Sequence, residues 1–224
     1  MAYVTRSFSA YSLRSRKIFR TPINVIKRRN HCDVTYDVYK NEQMGKLVNH
    51  LHLLNKNNNE LKALVLDSKI CRTSKMLKRH NICDITLVER NKQVALKHRT
   101  TSFSVEETTV TNYLKTTSKK YDILYLDTES GSPDALCMLN TVLQGNVIAN
   151  KCLLFLNFSS RGKLSFDSME LLDREKGGLT MDEFWNHCST FVENSNINVT
   201  LLYKGKYNRD RGAPMYYFAL LLEK

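Results

Sequence analysis

The sequence predicts an α/β protein with one doubly wound, mostly parallel sheet of about seven strands and a C-terminal antiparallel hairpin. Two observations lead to this prediction. Short apolar runs alternate with amphipathic segments five times along the chain, and this alternation is typical of parallel strands with helices on both faces of a sheet. The last two apolar segments instead follow each other across a short polar turn, as the strands of a hairpin do.

The N-terminal half contains a leading helix and the first two strands. Apolar residues recur at helical spacing from 41 to 55 and predict an amphipathic helix. The continuous apolar run 63–66 predicts a buried strand. A helix is then expected over 71–80 and a second strand over 84–91.

The central part of the chain repeats this rhythm less clearly. A third strand is predicted within 102–110, and a short helix over 110–117. The fourth strand opens the stretch 121–140 and is expected to end after Leu126, because acidic residues, a glycine and a proline follow it. The next helix is expected over 134–144.

The C-terminal part holds the remaining strands. The fifth is predicted over 151–160. The helix after it begins with Thr180 as its cap and has Glu183 three residues on, which is the pattern of a capping box. Two strands over 198–207 and 214–224 then form the hairpin, joined by the sequence NRDRGA.

Composition narrows the possible classes of protein. Hydrophobic residues make up 42% of the 224 residues and charged residues 25%, which is typical of a globular chain. No apolar run is long enough to cross a bilayer, so no membrane association is expected. The six cysteines form no Cys-x-x-Cys pair, which favours reduced thiols in the cytoplasm or nucleus. His50 and His52 face different ways on a helix, and no metal site is expected.

The net charge of +12 lies mostly in an N-terminal arm, which we place at residues 1–40, before a domain over 41–224. Residues 1–32 hold eight basic side chains and no acidic one. Three interpretations remain open: a solvated tail, an organelle-import presequence, or an arm that binds nucleic-acid phosphates. The candidate phosphate-binding residues in the arm are Arg14, Arg16, Lys17, Arg20, Arg28 and Arg29.

The order of elements resembles the class I S-adenosylmethionine-dependent methyltransferases, which have a seven-stranded Rossmann-like sheet. The resemblance covers about residues 41–224 and implies S-adenosylmethionine as cofactor, bound across the carboxyl ends of the first strands. In that family an acidic residue follows the first strand and a second acid at the end of the second strand holds the ribose hydroxyls. Asp67 and Glu89 match these positions.

The chain departs from the family at the turn after the first strand, because no glycine lies between Asp67 and Ser74. Two alternatives follow. Hydroxyl groups of Ser68, Thr73 and Ser74 replace some backbone contacts to the cofactor, or the site has been lost and a methyltransferase-shaped scaffold remains. In the second case the protein is a non-catalytic module that binds nucleic acid or a protein partner.

The resemblance also assigns a role to the end of the fourth strand, from which the family presents residues to its substrate. Asp127 and Glu129 are the candidate catalytic residues, because a carboxylate can orient an attacking atom or accept its proton. The alternative is an aspartate that caps the next turn or helix. Arg161 is a candidate phosphate contact or a solvated loop residue.

The sequence around Asp127 is faintly similar to the corresponding turn of tRNA guanine-N2 methyltransferases. The missing glycine motif resembles methyltransferase-like proteins of large DNA viruses and protists. Together with the basic arm, these similarities predict a methyltransferase that acts on nucleic acid, with RNA favoured over DNA.

Overall fold

The computed structural model describes Tyr39 and residues 41–160, 178–207 and 214–224. The strands in these residues are β1 (Lys62–Leu66), β2 (Asp84–Val88), β3 (Ser104–Glu106), β4 (Tyr121–Gly131), β5 (Ile148–Ser159), β6 (Asn198–Tyr207) and β7 (Met215–Glu223). The helices are α1 (41–50), α2 (Arg72–Arg79), α3 (Lys92–Arg99), α4 (Val110–Thr116), α5 (Ser132–Gln144) and α6 (Met181–Glu193).

All seven strands form one sheet in the order β3-β2-β1-β4-β5-β7-β6. The first five strands are paired in parallel, and β7 is antiparallel to both of its neighbours, β5 and β6. The apolar runs of β1 and β4 pair directly with each other. The predicted fold class is therefore confirmed, including the C-terminal hairpin.

The central strands are apolar throughout because both faces of the sheet are covered. On one face, Val65 and Tyr125 pack in a cluster that includes Leu47 of α1 and Leu77 of α2. On the other face, the alternate residues of the same strands pack against α4, α5 and α6. This two-sided burial is why the strands appear as continuous apolar runs in the sequence.

β4 is longer than predicted, since it continues past Leu126 to Gly131. Its pairing with β5 becomes irregular between Asp127 and Gly131, where β4 carries more residues than its partner. α5 starts at Ser132 and so takes Pro133 into its first turn, where a missing backbone N–H costs nothing. Placing the end of β4 directly after Leu126 was therefore wrong, although the regular ladder does end at Asp127.

Smaller differences concern the other element ends. β2 ends at Val88, and β3 has only three residues. The capping box of α6 is confirmed: Thr180 Oγ1 accepts a hydrogen bond from the Glu183 N–H, and the Glu183 carboxylate accepts one from the Thr180 N–H.

No helix among the described residues is long and apolar enough to cross a membrane. The same residues contain no group of three or more His, Cys, Asp or Glu side chains that could hold a metal ion.

Gly205 on β6 allows a close contact with β7, and we expect its replacement to destabilise the fold. A Cβ atom at Gly205 would overlap the Tyr217 ring at Cζ and the hydroxyl, because this ring crosses β6 at that point. Gly205→Ala should therefore lower the free energy of unfolding by about 1–3 kcal/mol, as overpacking does. Urea unfolding followed by circular dichroism measures this change.

Gly45 provides the matched control. It is exposed in the middle of α1, and a Cβ there meets nothing within 4 Å. Gly45→Ala should raise the free energy of unfolding by about 0.5–1 kcal/mol, because alanine loses less conformational freedom in a helix. Equal effects of the two substitutions would contradict the described contact between Gly205 and Tyr217.

Candidate functional site

The register of the sheet places four polar residues level with one another at the carboxyl ends of the parallel strands. Asp127 of β4 pairs with Asn157 of β5. Continuing the β1–β4 pairing by one residue brings Asp67 opposite Asp127, and continuing the β1–β2 pairing by two residues brings it opposite Glu89. We call Glu89, Asp67, Asp127 and Asn157 the carboxyl-edge row. Open α/β sheets bind ligands at this edge.

Asp67 organises the loop between β1 and α2. Its Oδ1 accepts a hydrogen bond of 2.9 Å from the Ser68 N–H, and its Oδ2 accepts bonds of 2.8 Å from both the N–H and the hydroxyl of Ser74. Ser74 lies in the first turn of α2, so the carboxylate caps this helix from outside. Asp67 therefore fixes the position of the loop.

The same loop makes a left-handed turn without glycine. Cys71, the residue before α2, has a φ of 51° and donates its N–H to the Ser68 carbonyl oxygen at 2.9 Å. The buried ring of His98 on α3 places Nε2 3.2 Å from the same oxygen. A left-handed conformation is usual for glycine and strained for cysteine. The contacts of Asp67 and His98 thus support a conformation that the sequence alone does not favour.

The other predicted residues of this loop lie in different environments. Ser68 is exposed, whereas Thr73 is fully buried. Among the described residues the buried Thr73 hydroxyl has no hydrogen-bond partner. Burial raises the pKa of the Cys71 thiol, and the Asp67 carboxylate raises it further. Cys71 is therefore a neutral thiol rather than a nucleophile.

Glu89 is half-buried at the end of β2. Its Oε1 accepts a hydrogen bond of 2.7 Å from the Asn91 N–H, and Asn91 in turn caps α3. Within the described residues, Oε2 of Glu89 has no hydrogen-bond partner. The carboxylate is thus held in place by one oxygen while the other remains able to accept hydrogen bonds from a ligand.

Asp127 and Glu129 lie at the start of the irregular part of β4. Asp127 is half-buried in the carboxyl-edge row. The neighbouring Thr128 donates its hydroxyl to the Asn157 carbonyl oxygen at 3.1 Å, which ties the irregular stretch to β5. The Glu129 side chain lies outside what the structure describes. The N-cap residue of α5 is Gly131, which has no side chain to cap the helix.

A buried polar network closes the row on the β5 side. Asn157 Nδ2 donates to Gln43 Oε1 at 2.9 Å, and the Tyr125 hydroxyl donates to the same oxygen at 3.2 Å. Gln43, on α1, was not predicted as a site residue. Its position four residues before Leu47, on the apolar side of the helix, was the available signal.

Tyr125 lies within electrostatic reach of two acids of the row. Burial raises the pKa of its hydroxyl well above the usual value, and the carboxylates of Asp127 and Asp67 raise it further. Tyr125 is therefore a neutral hydrogen-bond donor and not a base. The row itself combines three carboxylates with an amide, so it suits a ligand that carries hydroxyl groups and positive charge.

The predicted phosphate-binding residues lie outside the described residues. This applies to Arg161 and to the six basic residues of the arm, which are Arg14, Arg16, Lys17, Arg20, Arg28 and Arg29.

No protein-family model and no curated protein matches the sequence. Solved structures with a similar fold do exist. A Haemophilus influenzae protein named as a methylase has a TM-score of 0.55 at 13% identity, over 81% of this chain and 88% of its own. The methyltransferase domain of bacterial CtHen1 has a TM-score of 0.52 at 14% identity, over 81% of this chain and 98% of its own. A protein of Galdieria sulphuraria, named as a sarcosine dimethylglycine methyltransferase, has a TM-score of 0.54 at 11% identity, over 81% of this chain and 84% of its own.

These similarities show the fold. The chain has the seven-stranded, Rossmann-like architecture of class I S-adenosylmethionine-dependent methyltransferases.

Proposed function

We propose that the protein is a methyltransferase that uses S-adenosylmethionine and acts on nucleic acid, with RNA favoured over DNA. The observation that carries the proposal is the carboxyl-edge row in a sheet of this strand order. In such a sheet, a ligand that spans the first strands meets Glu89, Asp67 and Asp127 in turn. The similar folds named above support the class of reaction and leave the acceptor open.

The residues present fit the cofactor. Glu89 offers a carboxylate oxygen to a ribose diol, which can donate two hydrogen bonds to one acid. The three carboxylates of the row favour a cation, and the sulfonium of S-adenosylmethionine is one. Asp67 contributes through the loop that it organises, and the exposed Ser68 hydroxyl is the loop group best placed to reach a ligand. Thr73 supports this loop from inside the fold.

In the proposed reaction, S-adenosylmethionine supplies an electrophilic methyl group. Asp127 orients the acceptor nitrogen or oxygen and takes its proton when one is released. Glu129, two residues along the same strand, is the second candidate for this role. Gln43 accepts hydrogen bonds from both Tyr125 and Asn157 and so fixes the position of Asn157, which pairs with Asp127 in the sheet. Rigid support of this kind keeps a reacting group in register with its acceptor.

The proposed acceptor is nucleic acid because of the charge distribution in the chain. The carboxyl-edge row is acidic and repels phosphates, so the backbone of the acceptor must be held from outside it. The arm supplies eight basic residues within 1–32. Arg161, two residues after the end of β5 in the sequence, is a further candidate phosphate contact.

Transfer of label from S-adenosylmethionine with a radioactive methyl group to a pool of cellular RNA tests this proposal. We expect label in the RNA fraction, and more of it than in DNA at equal nucleotide concentration. Label found in protein or small molecules but not in nucleic acid would support methyltransferase activity and contradict nucleic acid as the acceptor. No transfer to any fraction would contradict the activity.

A further inference from the structure

Four tyrosines form a continuous stack at the outer edge of the sheet, beside the candidate site. Tyr39 stacks on Tyr207 with ring centroids 4.8 Å apart, Tyr207 contacts Tyr217 at 6.4 Å, and Tyr217 stacks on Tyr203 at 5.2 Å. The hydroxyls of Tyr217 and Tyr203 are joined by a hydrogen bond of 2.9 Å. We call these four residues the tyrosine stack.

The tyrosine stack continues the carboxyl-edge row across the antiparallel strands. Tyr217 of β7 pairs with Asn157 of the row on one side and with Gly205 of β6 on the other. β6, which carries Tyr203 and Tyr207, is the last strand of the sheet. It lies three strand spacings from β4, or about 14 Å from Asp127. The stack is therefore beside the reacting position and not over it.

A lysine completes the stack at its Tyr203 end. Lys46 Nζ lies 2.8 Å from the centre of the Tyr203 ring and forms an ion pair with Glu42, one turn earlier on α1, also at 2.8 Å. The nearby Lys46 ammonium is the main reason that the pKa of the Tyr203 hydroxyl is lowered. The Glu42 side chain is 45% exposed. An ion pair this exposed is weak and is easily exchanged for another anion.

The other end of the stack is Tyr39, which follows the basic segment 1–32 in the sequence. Tyr39 has a helical conformation, and its ring lies on that of Tyr207 at the carboxyl edge. The segment before it carries eight basic residues and no acidic one within 1–32. The charge of this segment therefore favours a negatively charged partner.

We propose that Tyr203 and Lys46 form a subsite for one nucleotide of single-stranded nucleic acid. In this subsite the Lys46 ammonium moves off the face of the Tyr203 ring, and the base stacks on that face. The phosphate of the nucleotide then replaces the Glu42 carboxylate as the ion-pair partner of Lys46. Aromatic rings combined with cations are the usual means of binding single strands. The choice of nucleic acid as ligand rests on the proposed function. Because β6 lies about 14 Å from Asp127, the subsite would bind a nucleotide that flanks the methylated one.

Fluorescence anisotropy with the full chain and a short labelled oligouridylate tests the stacking contact. The wild type should bind this oligomer more tightly than the same oligomer made of abasic nucleotides. Tyr203→Leu should weaken binding of oligouridylate by about five- to 150-fold, the range for loss of one base–aromatic stack. It should leave the abasic oligomer unaffected. Tyr203→Phe keeps the ring and should bind as the wild type does.

Phe103 offers a matched control. It precedes β3 at the opposite edge of the sheet, and Lys78 Nζ lies 5.9 Å from its ring centre. Phe103→Leu removes an aromatic–cation pair of the same kind and should leave RNA binding unchanged. An equal loss of affinity for oligouridylate in Phe103→Leu and Tyr203→Leu would overturn the inference.

Glu42→Gln tests the phosphate contact without disturbing the stack. It removes the competing carboxylate, so binding of oligouridylate should become tighter. Lys46→Gln should reduce the salt dependence by about 0.7, the value for one phosphate on a single strand. Equal affinity of the wild type for the base-containing and abasic oligomers would overturn the subsite. Calorimetry with S-adenosylmethionine is independent of this result, so failure of the subsite and failure of the enzyme are distinguishable.

Discussion

Asp127→Asn should reduce the rate of methyl transfer by about 10²–10⁴-fold, the contribution expected of a positioned general base or acceptor-orienting carboxylate. The substitution keeps the size of the side chain and removes its charge and its basicity. Asp127 is half-buried at the point where regular pairing between β4 and β5 ends. The effect should fall on kcat more than on KM, because the proposed contact acts on the reacting atom.

Asp84→Asn is the matched control for this experiment. Asp84 is exposed at the start of β2, at the end of the strand opposite to the carboxyl edge. We expect Asp84→Asn to transfer methyl groups at the wild-type rate in the radioactive assay. If Asp127→Asn, folded by circular dichroism, also retains the wild-type rate, Asp127 has no catalytic role and Glu129 becomes the remaining candidate on β4.

Removal of residues 1–32 should weaken RNA binding strongly and nearly equally for all sequences. Each phosphate contacted on a single strand contributes about 0.7 to the slope of log K against log salt concentration. If all eight basic residues of the arm contact phosphates, the slope should therefore fall by about 6. Binding isotherms at several salt concentrations measure this slope for the full and truncated chains.

A full-length variant in which the eight basic residues of 1–32 are replaced by glutamine controls for loss of chain length. It should bind RNA as weakly as the truncated protein does. The sheet should remain folded in both, because the described core begins with α1. An unchanged slope in the truncated protein would contradict the phosphate-binding arm and favour a targeting signal or a solvated tail.

The fold could be predicted because each strand and helix is marked by the pattern of apolar residues within its own segment. Continuous apolar runs mark strands that are buried on both faces, and the parallel pairing then brings the strand ends together. Once the strands were predicted, the resemblance to a known family could place Asp67, Glu89 and Asp127 at one edge. These residues lie opposite one another because the register of the β1–β2 and β1–β4 pairing aligns the carboxyl ends of the three strands.

Other features depend on contacts between distant segments and could not be predicted. The extension of β4 is held by the Thr128 hydroxyl on the β5 backbone. The left-handed Cys71 is supported by Asp67 and by His98, a residue from another helix. The tyrosine stack exists because pairing of β6 with β7 and the absence of a side chain at Gly205 bring four rings together.

The central claim is that the carboxyl-edge row binds S-adenosylmethionine, and isothermal titration calorimetry of the full chain tests it most directly. The wild type should show saturable heat. Glu89→Gln should bind about ten- to a hundredfold more weakly, since it loses hydrogen bonds to a charged acceptor. Glu60→Gln, at the opposite edge just before β1, should bind as the wild type does. No heat with the wild type at about millimolar ligand, a range where even weak complexes form, would contradict the claim and leave a methyltransferase-shaped scaffold without a cofactor.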